Sequence, residues 1–246
     1  MGMQLPEVFK INKDFIVKAN SYPPTRLAYE NLINLLISKE FDKFDGEMNA
    51  MTAKERALLF ACRGTGRSKM FLHTIIPLLY SATRANQLKA MEFFDDFQLV
   101  TENGVPINKF EMQSNNESPF YLAAKNLMPG LMIDLLKRGA DVNNRSTGSN
   151  AGKIIVIKTS STAKIEALEV LIDFGFDFHQ KTELLDGSFP DAQTQESTFD
   201  VMDRIMGVDE RILFEALVVA KRVIKENKPL IASTPSGSGL IRKASL

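Results

Sequence analysis

The sequence predicts an all-α fold, a short and irregular helical solenoid with helical caps at both ends. Three observations lead there. Apolar residues recur at helical spacing through most of the chain. Helix starts carry Ser, Thr or Pro signals, and helix ends carry glycine. A closing motif occurs twice: residues 135–143 read LLKRGADVN and residues 171–179 read LIDFGFDFH, so that Gly175 follows Gly139 by 36 residues. Units of that length stack, because one unit alone cannot bury its apolar faces.

The elements follow in chain order. Residues 1–20 read as a partly ordered lead-in. Tyr22-Pro23-Pro24-Thr25 ends it and starts a helix with the apolar stripe Leu27, Leu32, Leu35 and Leu36. Thr52-Ala53-Lys54-Glu55 is a capping-box signature that opens a helix running to Cys62. Further helices are expected at 68–81 and 85–97, the latter a degenerate closing helix, and a hairpin at 99–107 turning on Asn103-Gly104. The region 21–107 is thus helical, and degenerate repeats and a separate cap are equally open readings of it. Residues 108–207 hold the repeats. A last helix begins at Asp209, within a capping segment at 208–228; Ile212, Leu213, Ala216, Val219, Ala220 and Val223 share one side of it. The Ser/Gly/Pro tail at 229–246 has little to bury and is expected to be disordered.

The segment 117–143, ESPFYLAAKNLMPGLMIDLLKRGADVN, is the most informative stretch. Ser118 suits a helix cap and Pro119 the first helical position. Phe120, Ala123, Ala124 and Leu127 share a helical face, and the small alanines admit a close neighbour. Pro129-Gly130 starts a second helix with the stripe Leu131, Leu135 and Leu136. Gly139 suits the left-handed position that ends a helix. Asp141 and Asn143 suit the turn beyond it. This segment resembles one ankyrin repeat, a family whose pattern opens T-P-L-H-x-A and closes L-L-x-x-G-A-D-V-N. Ser118, Phe120 and Tyr121 depart from its Thr, Leu and His, and the missing His implies a less regular loop. The second closing motif comes 36 residues on, against about 33 in the family. Residues 151–158 would form its first helix. Residues 197–202 look like a third opening, 79 residues after Ser118, so an insertion lies between Phe178 and Glu196. The resemblance implies an ankyrin-type solenoid with short finger hairpins.

Composition bounds the function. The chain has 30 basic and 30 acidic residues, which argues against a nucleic-acid partner. Its lone cysteine, Cys62, excludes an internal disulfide and fits a reducing, cytoplasmic compartment. Cys62 sits in an apolar run and reads as a buried thiol. No apolar run reaches the length of a membrane span, and the N-terminus lacks a secretory core. Pro6 breaks the myristoylation pattern that Gly2 begins.

Motifs for chemistry are sparse. Gly64-Thr65-Gly66-Arg67-Ser68-Lys69 lacks P-loop spacing and follows a helix, so it reads as a loop. His73 lies in an apolar helix and His179 at the start of a finger. Neither has metal-ligand spacing, and no cofactor or metal is implied. Arg242-Lys243-x-Ser245 resembles a basophilic kinase site, and the same tail could serve as a secretion address. The resemblance implies a monomeric, non-catalytic protein-binding module. Its partner would meet the concave face and the fingers at 141–150 and 178–196. Site candidates are Asn144, Arg145, Ser146 and Thr147 in the first finger, and His179, Gln180, Lys181 and Phe189 in the second. Tyr121 and Lys125 stand on the adjoining helix. Two rivals stay open: a bacterial effector that acts on a host protein in the host cytosol, and an enzyme with its active site in the N-terminal half.

Overall fold

The computed structural model describes residues 5–64, 69–114, 116–146, 149–159, 161–183 and 195–226. The lead-in is structured from its first described residues. Strand β1 spans Glu7–Lys10 and helix α1 spans Lys13–Ser21, capped by the Asn12 side chain, which accepts from Phe15 N at 2.8 Å. Helix α2 is Pro23–Ile37, α3 is Phe41–Ala50 and α4 is Ala53–Ala61. Leu32 and Leu36 are buried as expected, but Leu27 is 70% exposed and Tyr29 takes the inner position. The capping box at α4 forms: Thr52 N donates to Glu55 Oε2 at 2.8 Å and Glu55 N to Thr52 Oγ1 at 3.3 Å.

Helix α5 spans Phe71–Leu78 and α6 spans Arg84–Glu92. The helix expected to reach residue 97 stops at Glu92. Its last aromatics turn inward instead: Phe94 lies 5.7 Å from the Phe60 ring, and Phe97 6.0 Å from the same ring. Phe97 opens strand β2, Phe97–Val100, which pairs antiparallel with β3, Pro106–Ile107, through a turn where Gly104 has φ 78°. β2 also pairs parallel with β1, Glu7 opposite Phe97. The sheet order is β1-β2-β3. The fold is therefore mostly helical with one small three-stranded sheet, rather than purely α. The parallel partner of β2 lies far away in sequence, and parallel pairing leaves no local turn signal.

From α5 onward the chain is built in pairs. Helix α7 is Pro119–Lys125 and α8 is Pro129–Lys137. Strands β4, Arg145–Ser146, and β5, Ser149–Asn150, precede α9, Ala151–Val156, and α10, Thr162–Asp173. Strands β6, Thr182–Glu183, and β7, Gln195–Glu196, precede α11, Thr198–Ile205, and α12, Val208–Glu226. One row of helices packs in the order α5, α7, α9, α11, and a second row in the order α6, α8, α10, α12. Helix α2 leans on α5 and α3 on α6. Gly139 and Gly175 have φ 91° and 77°, the left-handed conformation their motifs require.

A smaller signature repeats with the pairs. Asp141 Oδ1 accepts from Asn143 N at 2.9 Å, and Asp177 Oδ1 from His179 N at 2.9 Å. Asn108 Oδ1 accepts from Phe110 N at 3.0 Å in the same way, 33 residues before Asp141. The turns are tied across: Asn108 Nδ2 donates to Gly139 O at 2.6 Å, and Asp177 N to Asn143 Oδ1 at 2.7 Å.

One hydrophobic cluster runs from Tyr29 to Phe214. Charges join its two halves. Arg138 at the C-cap of α8 pairs with Asp95, and with Asp134 at 2.9 Å, while Arg56 of α4 pairs with Asp96. Lys109, buried between them, donates to Phe97 O and lies 3.9 Å from the Phe97 ring centroid. Helix α12 packs through Phe214 and Val218, and Lys221 reaches Asp173 at 2.6 Å. Ile212 and Val219 of the stripe read from its sequence face outward instead, 58% and 60% exposed. Both sides of the helix carry apolar residues, and Phe214, the largest, takes the core.

Candidate recognition surface

Each first helix of a pair is preceded by an antiparallel hairpin or bridge. Arg63 bridges Met70 before α5, Ser114 bridges Glu117 before α7, Arg145 pairs with Asn150 before α9, and Thr182 pairs with Glu196 before α11. Caps at the hairpin roots fix where the helices begin. Ser118 Oγ accepts from Tyr121 N at 3.1 Å, Asn150 Oδ1 from Lys153 N at 2.9 Å, and Ser197 Oγ from Asp200 N at 3.1 Å. Asp200 completes a capping box on Ser197, and those hydrogen bonds hold its carboxyl below the usual range.

The structure sorts the sequence candidates. Tyr121 is only 6% exposed and its hydroxyl hydrogen-bonds Ser149, so it roots the β4–β5 hairpin from below rather than facing solvent. Burial pushes its phenol pKa up. The Tyr121 side chain is long enough to reach the neighbouring hairpin. Lys125 is exposed and pairs with Glu117 at 2.7 Å; that hydrogen bond raises its pKa. Glu117 also meets Lys69 at 3.7 Å.

In the first finger, Asn144 Oδ1 and Arg145 O both accept from Gln113 Nε2, at 3.2 and 3.1 Å. The Arg145 side chain is exposed. Ser146 contributes backbone to β4, and Thr147 lies outside the described residues. In the second finger, His179 is exposed with its ring 4.8 Å from that of Phe199. Gln180 Nε2 reaches Asn143 O at 3.4 Å, and Lys181 is exposed. Phe189 lies outside the described residues, with the rest of 184–194. Arg145, His179, Gln180 and Lys181 therefore belong to one row of adjacent hairpins, while Tyr121 lies beneath it.

Sequence reasoning missed Gln113, which wedges one hairpin against the next, and Lys153. Lys153 is 0% exposed, and its Nζ donates to Thr182 O at 3.1 Å at the root of the long insertion. Burial lowers its pKa, with Glu196 and Asp200 opposing. The available signal was the run Ser149-Asn150-Ala151-Gly152. Its small residues admit a close neighbour: a Cβ on Gly152 would come within 2.6 Å of the Phe176 ring.

The other titratable candidates sit in the core. Cys62 is buried and its thiol pKa is pushed up by burial. His73 is fully buried, its Nε2 is 2.9 Å from Met112 O, and burial lowers its pKa to about 4. Gly64 and Lys69 flank the loop at 65–68, which is outside the described residues; Lys69 is engaged with Glu117. An apolar groove of about 570 Å³ opens between α1 and the β2–β3 turn, lined by Ile11, Ile16, Val17 and Ile107 among others. Among the described residues, no helix is long and apolar enough to cross a membrane. Compared with known proteins, the chain matches no protein-family model and no curated sequence.

Proposed function

We propose that this chain is an ankyrin-type solenoid that recognises a protein partner, without catalysis, through its row of hairpins and the adjoining first helices. One observation carries the reading: hairpins at equivalent positions precede α5, α7, α9 and α11, and those helices pack as one row. Such a row presents side chains from several units on a continuous surface, the form in which stacked repeats offer extended binding faces. On this reading Lys125, Asn144, Arg145, His179, Gln180 and Lys181 contribute contacts, and Tyr121 holds the first finger in place. A translocated effector acting on a host protein is one setting in which such a module would work.

The test is partner capture. Replacing 185–192 with a short Gly/Ser linker leaves the helical circular-dichroism signal largely intact and weakens capture from candidate lysates, read by mass spectrometry. Unchanged capture by the shortened protein would remove the second finger from the surface. Capture that also survives Asn144→Ala, Arg145→Ala and Lys125→Ala together would overturn the recognition face itself.

A further inference from the structure

Aligning the hairpins on the helices they precede places four residues at one equivalent position. The cap of α5, Met70, lies opposite Arg63, and the cap of α9, Asn150, lies opposite Arg145. One step out from the Ser114–Glu117 bridge, the α7 cap Ser118 lies opposite Gln113. One step out from the Thr182–Glu196 pair, the α11 cap Ser197 lies opposite Lys181. The series along the row is therefore Arg63, Gln113, Arg145, Lys181, and all four are exposed.

The carboxylates nearest these hairpins are engaged elsewhere. Glu117 is shared by Lys69 and Lys125, Glu196 pairs with Arg204 at 3.1 Å, and Asp200 is bound into its capping box, where the charge of Lys181 also acts on it without an ion pair forming. Asp141 and Asp177 each hold a backbone N–H of their own turn. Among the described residues, Arg63, Arg145 and Lys181 form no ion pair. Gln113 adds no charge but clamps its hairpin to the next through Asn144 and the Arg145 carbonyl, which fixes the spacing of the row.

We propose that this row is a cationic ladder that binds an extended acidic segment of a partner polypeptide. The proposal rests on the recognition reading above and adds the chemistry of the partner. Neighbouring packed helices lie about 10 Å apart, and a chain extended as polyproline II advances about 3.1 Å per residue with three residues per turn. Every third residue therefore returns to the same face at about the spacing of the rungs, with carboxylates meeting Arg63, Arg145 and Lys181 and the uncharged Gln113 between the first two. The guanidinium forks of Arg63 and Arg145 can take carboxylates in bidentate fashion. A nucleic-acid strand fits less well, because the cations are spaced a helix apart and the chain carries no basic excess.

The probe is a labelled 18-residue peptide with Glu at every third position among Ser and Gly, and its Gln counterpart. Binding to the full chain is followed by fluorescence anisotropy at about 50 and 300 mM salt. The Glu peptide binds and the Gln peptide does not, and added salt weakens the complex. Arg145→Glu and Lys181→Glu each weaken binding about tenfold and Arg63→Glu comparably, whereas Lys54→Glu, exposed at the far end of α4, leaves it unchanged. Equal binding of the two peptides, or indifference to the three reversals, overturns the proposal. So does tighter binding of a 12-nucleotide single-stranded RNA, which would assign the row to nucleic acid. If lysate capture is lost on shortening the second finger but survives the three reversals, the recognition surface stands and its acidic partner falls.

Discussion

The stacked pairs α7–α10 and the region made by α1, α4 and the β1–β2–β3 sheet share one core, yet they are assembled differently. In the stack, each helix meets the equivalent helix of the next unit, and the same small devices recur: a cap, a left-handed glycine and a side-chain-closed turn. Around the sheet nothing recurs. Val8 and Phe9 find Gln98 and Leu99 across a parallel ladder, and Phe60, Phe94 and Phe97 fill the space beneath with edge-on rings. Repetition lets a unit be identified from a few residues. A single long-range pairing gives no such foothold, because its partners are set only when the whole region closes.

That contrast can be broken most directly in the two cores. Phe94→Ala should cost about 3–5 kcal/mol and Leu135→Ala about 2–5 kcal/mol; both side chains are 0% exposed. Their footprints should differ. Loss of Phe94 should first release the amides of Glu7 and Ile11, which bond Asp96 O and Val100 O. Loss of Leu135 should lower protection on both sides, in α7 and in α9–α10, because neighbouring units stabilise one another. Hydrogen exchange with urea melts separates the two patterns. Identical footprints would show that the halves unfold as one undifferentiated unit.

Two buried bases, His73 in α5 and Lys109 beside the sheet, give the core a pH signature at each end of the range. Burial holds the His73 pKa at about 4 against an ordinary 6.5. The unfolded chain then binds more protons between those values, so stability is fully present above pH 6.5 and is lost as pH falls towards 4. Burial likewise lowers Lys109 to about 8 from 10.5, against the opposing Asp95 and Asp96. Its contribution is complete only above pH 10.5 and is already lost by about pH 8, so stability should rise across that alkaline window. Each effect amounts to at most about 3 kcal/mol. Melting temperature against pH measures both. His73→Leu should flatten the acid limb and Lys109→Met the alkaline rise; a slope that survives its substitution would point to other groups.

The smallest expected effect sharpens where the repeats begin. Asn108 closes the same turn as Asp141 and Asp177 and also ties to Gly139. Asn108→Ala should cost about 1–2 kcal/mol and loosen the α8 end as well as its own turn. If only residues 108–114 lose protection, the series starts at Asp141 and the turn at Asn108 is a local feature.

Much of the stack was legible because its determinants are local. Ser118, Pro119, Gly139, Asp141 and Gly175 act within a few residues of themselves, and each behaves as its chemistry requires. The turn at Asn108 could have been found by its spacing, but Asn108-Lys109-Phe110 shares only the side-chain-closed turn with Asp141-Val142-Asn143. The hairpin row was partly legible: Arg145, His179, Gln180 and Lys181 stand on adjacent hairpins, while Tyr121 is drawn underneath by Ser149.

By itself, the sequence determined the mostly helical class, the paired units with their caps and stops, and the burial of Cys62. These follow from periodicity, backbone chemistry and apolar context, which act over a turn or two of chain. Only the tertiary structure decided that the lead-in supplies β1 to a sheet, that Leu27, Ile212 and Val219 face outward, and that Lys153 is buried under the second hairpin. It also decided that Arg63, Gln113, Arg145 and Lys181 share one register. The reason is common to all of these. Each depends on which of several apolar or polar side chains finds a partner across space, and that competition is settled by packing between elements far apart in the chain.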